Sequence, residues 1–177
     1  QTGIEQDDDT AEVLRLSGMP DGRALGEGVR LPRPLSPHLS ASLAGTAISL
    51  PPLMDLAWSQ AESDRWIVEG AGGVLVPLND HELMIDLMSV LGLPAVIAAR
   101  SGLGTINHTL LTIEALRSRA IPIAGVVMIG PPNPDNRVAI ETRGHVSVIG
   151  ELPLFEPLTP EALQAAAAGL ARGGELD

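Results

Sequence analysis

Apolar runs set the rhythm of this chain. Trp66-Ile67-Val68, Leu93–Ala99, Ile123–Ile129 and Val146–Ile149 carry apolar residues with little alternation, and Gly, Pro or charged residues bound them. Such runs predict strands buried in a sheet. Between and after them the spacing changes to that of helices, over Glu82–Leu91, from His108 through Arg119, over Asn136–Gly144 and over Pro160–Ala171. Gly92 is placed as a helix stop and Thr159 as a cap. Upstream, Ala11–Leu16 follows an acidic Asp7-Asp8-Asp9-Thr10 and ends at Ser17-Gly18, which marks a helix start and stop. Pro20 to Pro52 is weakly periodic, with a short helix expected at Leu39–Leu43, and a longer one is expected at Leu53–Ser63. Strands alternating with helices at this spacing predict right-handed βαβ crossovers and a parallel α/β sheet.

Composition narrows the class. With 177 residues the chain suits one domain, and 45% hydrophobic but only 2% aromatic residues leave the packing to Val, Leu, Ile and Ala. That favours helices on a parallel sheet over an aromatic-rich sandwich. Eleven basic against 22 acidic residues give a net charge of −11, the wrong sign for a nucleic-acid partner. The absence of cysteine excludes disulfides and thiolate metal sites and fits the cytoplasm. No apolar run approaches the roughly 20 residues of a membrane helix, so no membrane partner is expected.

Chemistry concentrates after the expected strands. Glu69 precedes Gly70-Ala71-Gly72-Gly73. A carboxylate there either faces the ligand crevice at the strand's carboxyl end or caps the loop, and glycines let backbone N–H groups approach a phosphate. Gly102-Leu103-Gly104-Thr105-Ile106-Asn107-His108 joins a strand to a helix through a glycine turn, an arrangement whose free N–H groups bind anions. His108 reads as an interior or capping histidine, since no second metal ligand lies at helical spacing. Helix capping is the plainer reading of the Asp run. Ser36-Pro37-His38 reads as a rigid turn presenting a hydroxyl and an imidazole.

Gln1-Thr2-Gly3, Ser36-Pro37-His38, Val68–Gly73, Gly102–His108 and Gly150-Glu151-Leu152-Pro153 occur in the order seen in dethiobiotin synthetases, and the chain resembles that family along essentially its whole length. The resemblance implies a P-loop NTPase-like parallel sheet with helices on both faces. It implies ATP-dependent closure of the ureido ring of dethiobiotin from 7,8-diaminononanoate and CO2 or bicarbonate, with Mg2+, in a cytoplasmic homodimer whose site lies at the subunit interface. Carried over by motif, Asp9 and Glu69 are the Mg2+ carboxylates, and Gly70, Ala71, Gly72, Gly73 and Pro153 join them around the nucleotide. Thr2 is the catalytic hydroxyl that meets the diamine or its carbamate, Ser36 is a substrate-side contact, and Gly104, Thr105, Ile106 and Asn107 hold the substrate carboxylate.

The chain departs from the family's pattern in three respects. It contains no Gly-x-x-x-x-Gly-Lys-Ser/Thr, it lacks the family's substrate lysine before Gln-Thr-Gly, and Ile129 stands where the family often has an adenine-reading Asn. The resemblance therefore implies a single, N-terminally truncated domain, inactive alone because it lacks a cradle for the triphosphate. The alternative is a non-catalytic dimeric small-molecule-binding protein without the P-loop. A partitioning ATPase is disfavoured by the negative charge.

Overall fold

The computed structural model describes residues 1–4, 8–19, 28–59 and 66–173. Expectations for Asp7, for 20–27 and for the end of the Leu53–Ser63 helix lie outside the described residues in whole or part. The chain divides into two compact units, Gln1–Gly92 and Leu93–Asp177, each described by itself.

The second unit is a parallel three-stranded sheet in the order β1 (Ala95–Arg100), β2 (Ile123–Ile129), β3 (Val148–Leu152). Register runs from Val96 opposite Gly125 to Arg100 opposite Ile129, and from Val126 opposite Val148 to Ile129 opposite Leu152. Helices α5 (Thr105–Ser118) and α6 (Pro134–Gly144) connect the strands, and α7 (Pro160–Gly173) follows β3. On α5 the buried residues are Thr105, Thr109, Ile113 and Leu116, one stripe at helical spacing. That stripe packs against β1 and α6, where Gly144 allows close approach, because a Cβ there would stand 2.8 Å from Ile113 Cδ1. Val126, Met128 and Ile140 complete the core.

Two expectations need correction. The three strands were read as buried runs, yet β1 alternates between buried and exposed residues. Val96 is 56% and Ile149 42% exposed. The layer made by α5 and α6 serves one face, so apolar character on the other face misled the reading. The expected first strand does not form, since Trp66–Gly70 carries no strand and Ile67 is 94% exposed. Extended backbone becomes a strand only beside a hydrogen-bonding neighbour, and no strand pairing is made by Ile67–Gly70 among the described residues.

The first unit is helical: α1 (Asp9–Ser17), α2 (Pro37–Leu43), α3 (Leu50–Trp58) and α4 (Met84–Leu91). Leu31, Ala41, Ile48, Leu50, Leu78 and Met84 form its core. Pro37 starts α2, and Gly92 ends α4 in the left-handed conformation at φ 64°. No helix among the described residues is long and apolar enough to cross a membrane.

Candidate active site

Thr2, Asp9, Ser36 and Glu69–Gly73 belong to the first unit. The backbone around Thr2 is held by Leu31, which donates to Gln1 O (2.9 Å) and accepts from Gly3 N (2.8 Å). The Asp run divides its labour. Asp8 is the N-cap of α1, its Oδ1 accepting from Thr10 N at 3.1 Å and Ala11 N at 3.3 Å, and its Oδ2 accepting from Arg30 at 2.8 Å. Partial desolvation pushes the Asp8 carboxyl up, but the two backbone donors and the Arg30 guanidinium outweigh it and hold it below the usual range. Asp9 is exposed and makes no hydrogen bond or ion pair among the described residues. Capping thus occupies Asp8 and leaves the neighbouring carboxylate open.

Glu69 is also exposed and without a hydrogen bond among the described residues. The loop after it is firmly built. Gly72 has φ +87°, and a Cβ there would meet Val76 Cγ2 at 2.9 Å. Val76 N donates to Gly73 O (3.0 Å), Met84 N to Val76 O (2.9 Å) and Ile85 N to Val74 O (2.8 Å), tying the loop to the start of α4. Gly70 lies against Met84, whose Sδ would be 3.0 Å from a Cβ. At the far end Asn79 Oδ1 accepts from His81 N and Glu82 N (2.8 and 2.9 Å), while its Nδ2 donates to Ile48 O (3.0 Å).

Ser36 is the N-cap of α2, but its hydroxyl makes no capping bond. His38 N donates to Pro77 O (3.3 Å), which fastens this turn to the Glu69 loop, and His38 Nδ1 is buried without a hydrogen-bond partner among the described residues. The structure therefore links Thr2 with Asp9 through the 30–31 segment, and Ser36 with the glycine loop through His38.

The second unit carries Gly104–Asn107 and Pro153. Gly104 is the N-cap of α5 with φ +91°. Thr105 N donates to Gly102 O (3.2 Å) and His108 N to Gly104 O (3.1 Å), while the N–H groups of Ile106 and Asn107 have no acceptor among the described residues. Thr105 is 5% exposed, its hydroxyl lies 3.5 Å from that of Thr109 and its N–H is given to Gly102 O, so the donors open to an anion at this turn are the N–H groups of Ile106 and Asn107. His108 is exposed rather than interior. The carboxyl ends of the strands are joined by Ser101 N to Ile129 O and Gly130 N to Leu152 O, both 2.9 Å. Beyond them Gly150, Glu151, Pro153, Phe155 and Ala162 line a groove of about 590 Å³ between β3 and α7.

Sequence reasoning missed Arg30, which sits in the weakly periodic stretch and meets a partner 22 residues away. It also missed Arg137, which donates to Glu151 (2.7 Å) and lies 3.6 Å from Glu141, tying α6 to β3. Arg137 and Glu141 are one helical turn apart, a spacing that signals that pair, whereas nothing in the local pattern points to Arg30.

As to metal, among the described residues no group of three or more His, Cys, Asp or Glu could hold an ion. Asp9 and Glu69 still suit Mg2+, which takes one or two hard carboxylate oxygens and fills its octahedron with water and phosphate. Both are exposed, and neither side chain is taken by a hydrogen bond among the described residues.

A family model described as an AAA domain matches residues 1–162. The ATP-dependent dethiobiotin synthetase BioD of Brucella ovis is 47% identical over 163 residues, which cover 92% of this chain and 75% of that protein. The protein of the same name from Rhodopseudomonas palustris is 46% identical over 94% of this chain and 76% of its own. That of Agrobacterium fabrum is 45% identical over the same shares, 94% and 76%. Matches of this extent, with the parallel sheet flanked by helices, show that the chain belongs to the dethiobiotin synthetase family, ATP-dependent ligases of P-loop NTPase-like α/β fold.

Proposed function

We propose that this protein works in biotin biosynthesis, closing the ureido ring of dethiobiotin from 7,8-diaminononanoate and CO2 at the expense of ATP. The observation that carries the reading is the pair of exposed carboxylates, Asp9 and Glu69, whose side chains make no hydrogen bond or ion pair among the described residues, beside a backbone that is tightly held. One amine adds to CO2 to give a carbamate, ATP phosphorylates the carbamate oxygen and leaves as ADP, and the second amine attacks the carbonyl carbon to expel phosphate. Mg2+ on Asp9 and Glu69 would supply charge neutralisation for the phosphoryl group.

The chain's own residues bind and orient. The Thr2 hydroxyl holds the reacting amine or its carbamate, with Ser36 as a second substrate contact. The N–H groups of Ile106 and Asn107, at the positive end of α5, hold the substrate carboxylate, and Gly104 and Thr105 form the turn that presents them. Gly70–Gly73 let backbone pass close to phosphate, and Pro153 lies against the base. Most of the rate enhancement is positioning.

We read the working form as a homodimer in the cytoplasm. Leu103, fully exposed, and Leu111, 55% exposed, give the α5 region an apolar surface of the kind a two-fold contact covers.

The test is diaminononanoate binding by calorimetry, with and without Mg2+ and a non-hydrolysable ATP analogue, in the protein as its gene encodes it. The ligase reading predicts that metal-nucleotide tightens the diamine. Binding that is indifferent to nucleotide would favour a small-molecule-binding protein without catalysis.

A further inference from the structure

We infer that Arg30 is a positioning residue that fixes Thr2 and Asp9 relative to one another; this rests on the reading that Thr2 meets the diamine and Asp9 the metal ion. The Arg30–Leu31 segment grips the residues on either side of each. The Arg30 guanidinium donates to Asp8 Oδ2 at 2.8 Å and to Thr10 Oγ1 at 3.4 Å, the two neighbours of Asp9. Leu31 donates to Gln1 O at 2.9 Å and accepts from Gly3 N at 2.8 Å, the two neighbours of Thr2. Thr10 Oγ1 then donates to Gln1 Oε1 at 3.1 Å and closes the ring. Neither Thr2 nor Asp9 is itself consumed by these bonds; Asp9 is exposed and Thr2 partly exposed in a frame whose every corner is tied.

The residue type matters. A guanidinium carries separate N–H groups in a rigid fork and reaches two acceptors at once, whereas an ammonium is a single point of donation. The side chains of Arg30 and Asp8 are 30% and 38% exposed, and an ion pair that open to water contributes little to overall stability. Placement and stability are therefore separable, which makes the inference testable.

The experiment uses the protein as its gene encodes it, in wild-type, Arg30→Gln, Arg30→Lys and Asp9→Asn forms. Mn2+ affinity is read by electron paramagnetic resonance in the presence of a non-hydrolysable ATP analogue, and KM for diaminononanoate is separated from kcat. Arg30→Gln is expected to weaken Mn2+ about tenfold and to raise the diamine KM while the thermal midpoint stays near wild type. Arg30→Lys, which keeps Asp8 but loses Thr10, should fall between, and it carries the test if Arg30→Gln does not fold. Unchanged Mn2+ affinity and KM in a folded Arg30 variant, or lost stability without a change in either, would overturn the inference. Asp9→Asn separates the layers. If it loses Mn2+ while Arg30→Gln does not, the inference alone fails; if it keeps full affinity, the reading of Asp9 fails and takes the inference with it.

Discussion

At Gly130 the backbone leaves β2 with φ +131°, and a Cβ placed there would collide with Ser101 Oγ. Gly130→Ala should therefore lower stability by about 1–3 kcal/mol, measured by urea denaturation. Gly72 is held by the same logic at φ +87° against Val76, in the loop that follows Glu69. Asp8 gives a pH signature. Its carboxyl titrates below the ordinary 3.8, so its contribution is present above that value and is lost as pH falls through the lowered one. Asp8→Asn should be less stable than wild type at neutral pH, with the gap in thermal midpoint closing under acid conditions. A gap that persists fully in acid would show that charge is not what Asp8 supplies.

Among the elements, β2 was legible to the residue, because Ile123–Ile129 is an apolar run bounded by Pro122 and Gly130 and is flanked in space by two partners. The helices were legible through their punctuation, as at Gly92 and at Thr159 before α7, whereas Pro37 and Pro134 read as turn residues and are in fact the first residues of α2 and α6. Trp66–Val68 has the same local character as a strand and fails to become one, because pairing is a property of the neighbour and not of the run. The site followed the same division. The turn at Gly104 was readable, since glycine before a helix has a local cause. Which aspartate caps α1 was not readable from three in a row; Asp8 is set apart from Asp9 by its bonds to Thr10 N and Ala11 N and by the approach of Arg30. Ile140 on α6 is fully buried, and Ile140→Ala should cost about 2–5 kcal/mol in denaturant-measured stability. Arg137→Met, which cuts half-exposed ion pairs, should cost less than about 1 kcal/mol.

For the whole molecule, charge and surface set the expectations. A net charge of −11 keeps copies apart at long range, so self-association has to be driven by apolar contact. Leu111→Glu on α5 should convert a dimer to a monomer in sedimentation velocity without loss of helix content by circular dichroism. An unchanged sedimentation coefficient would place the contact elsewhere.

The most direct test of the central claim is dethiobiotin formation, followed by mass spectrometry, from diaminononanoate, 13C-labelled bicarbonate and Mg-ATP. It compares the wild-type protein with its Glu69→Gln variant. The wild-type protein is expected to make dethiobiotin carrying one 13C, and Glu69→Gln is expected to suppress this. A folded wild-type protein that yields no labelled product would contradict this reading.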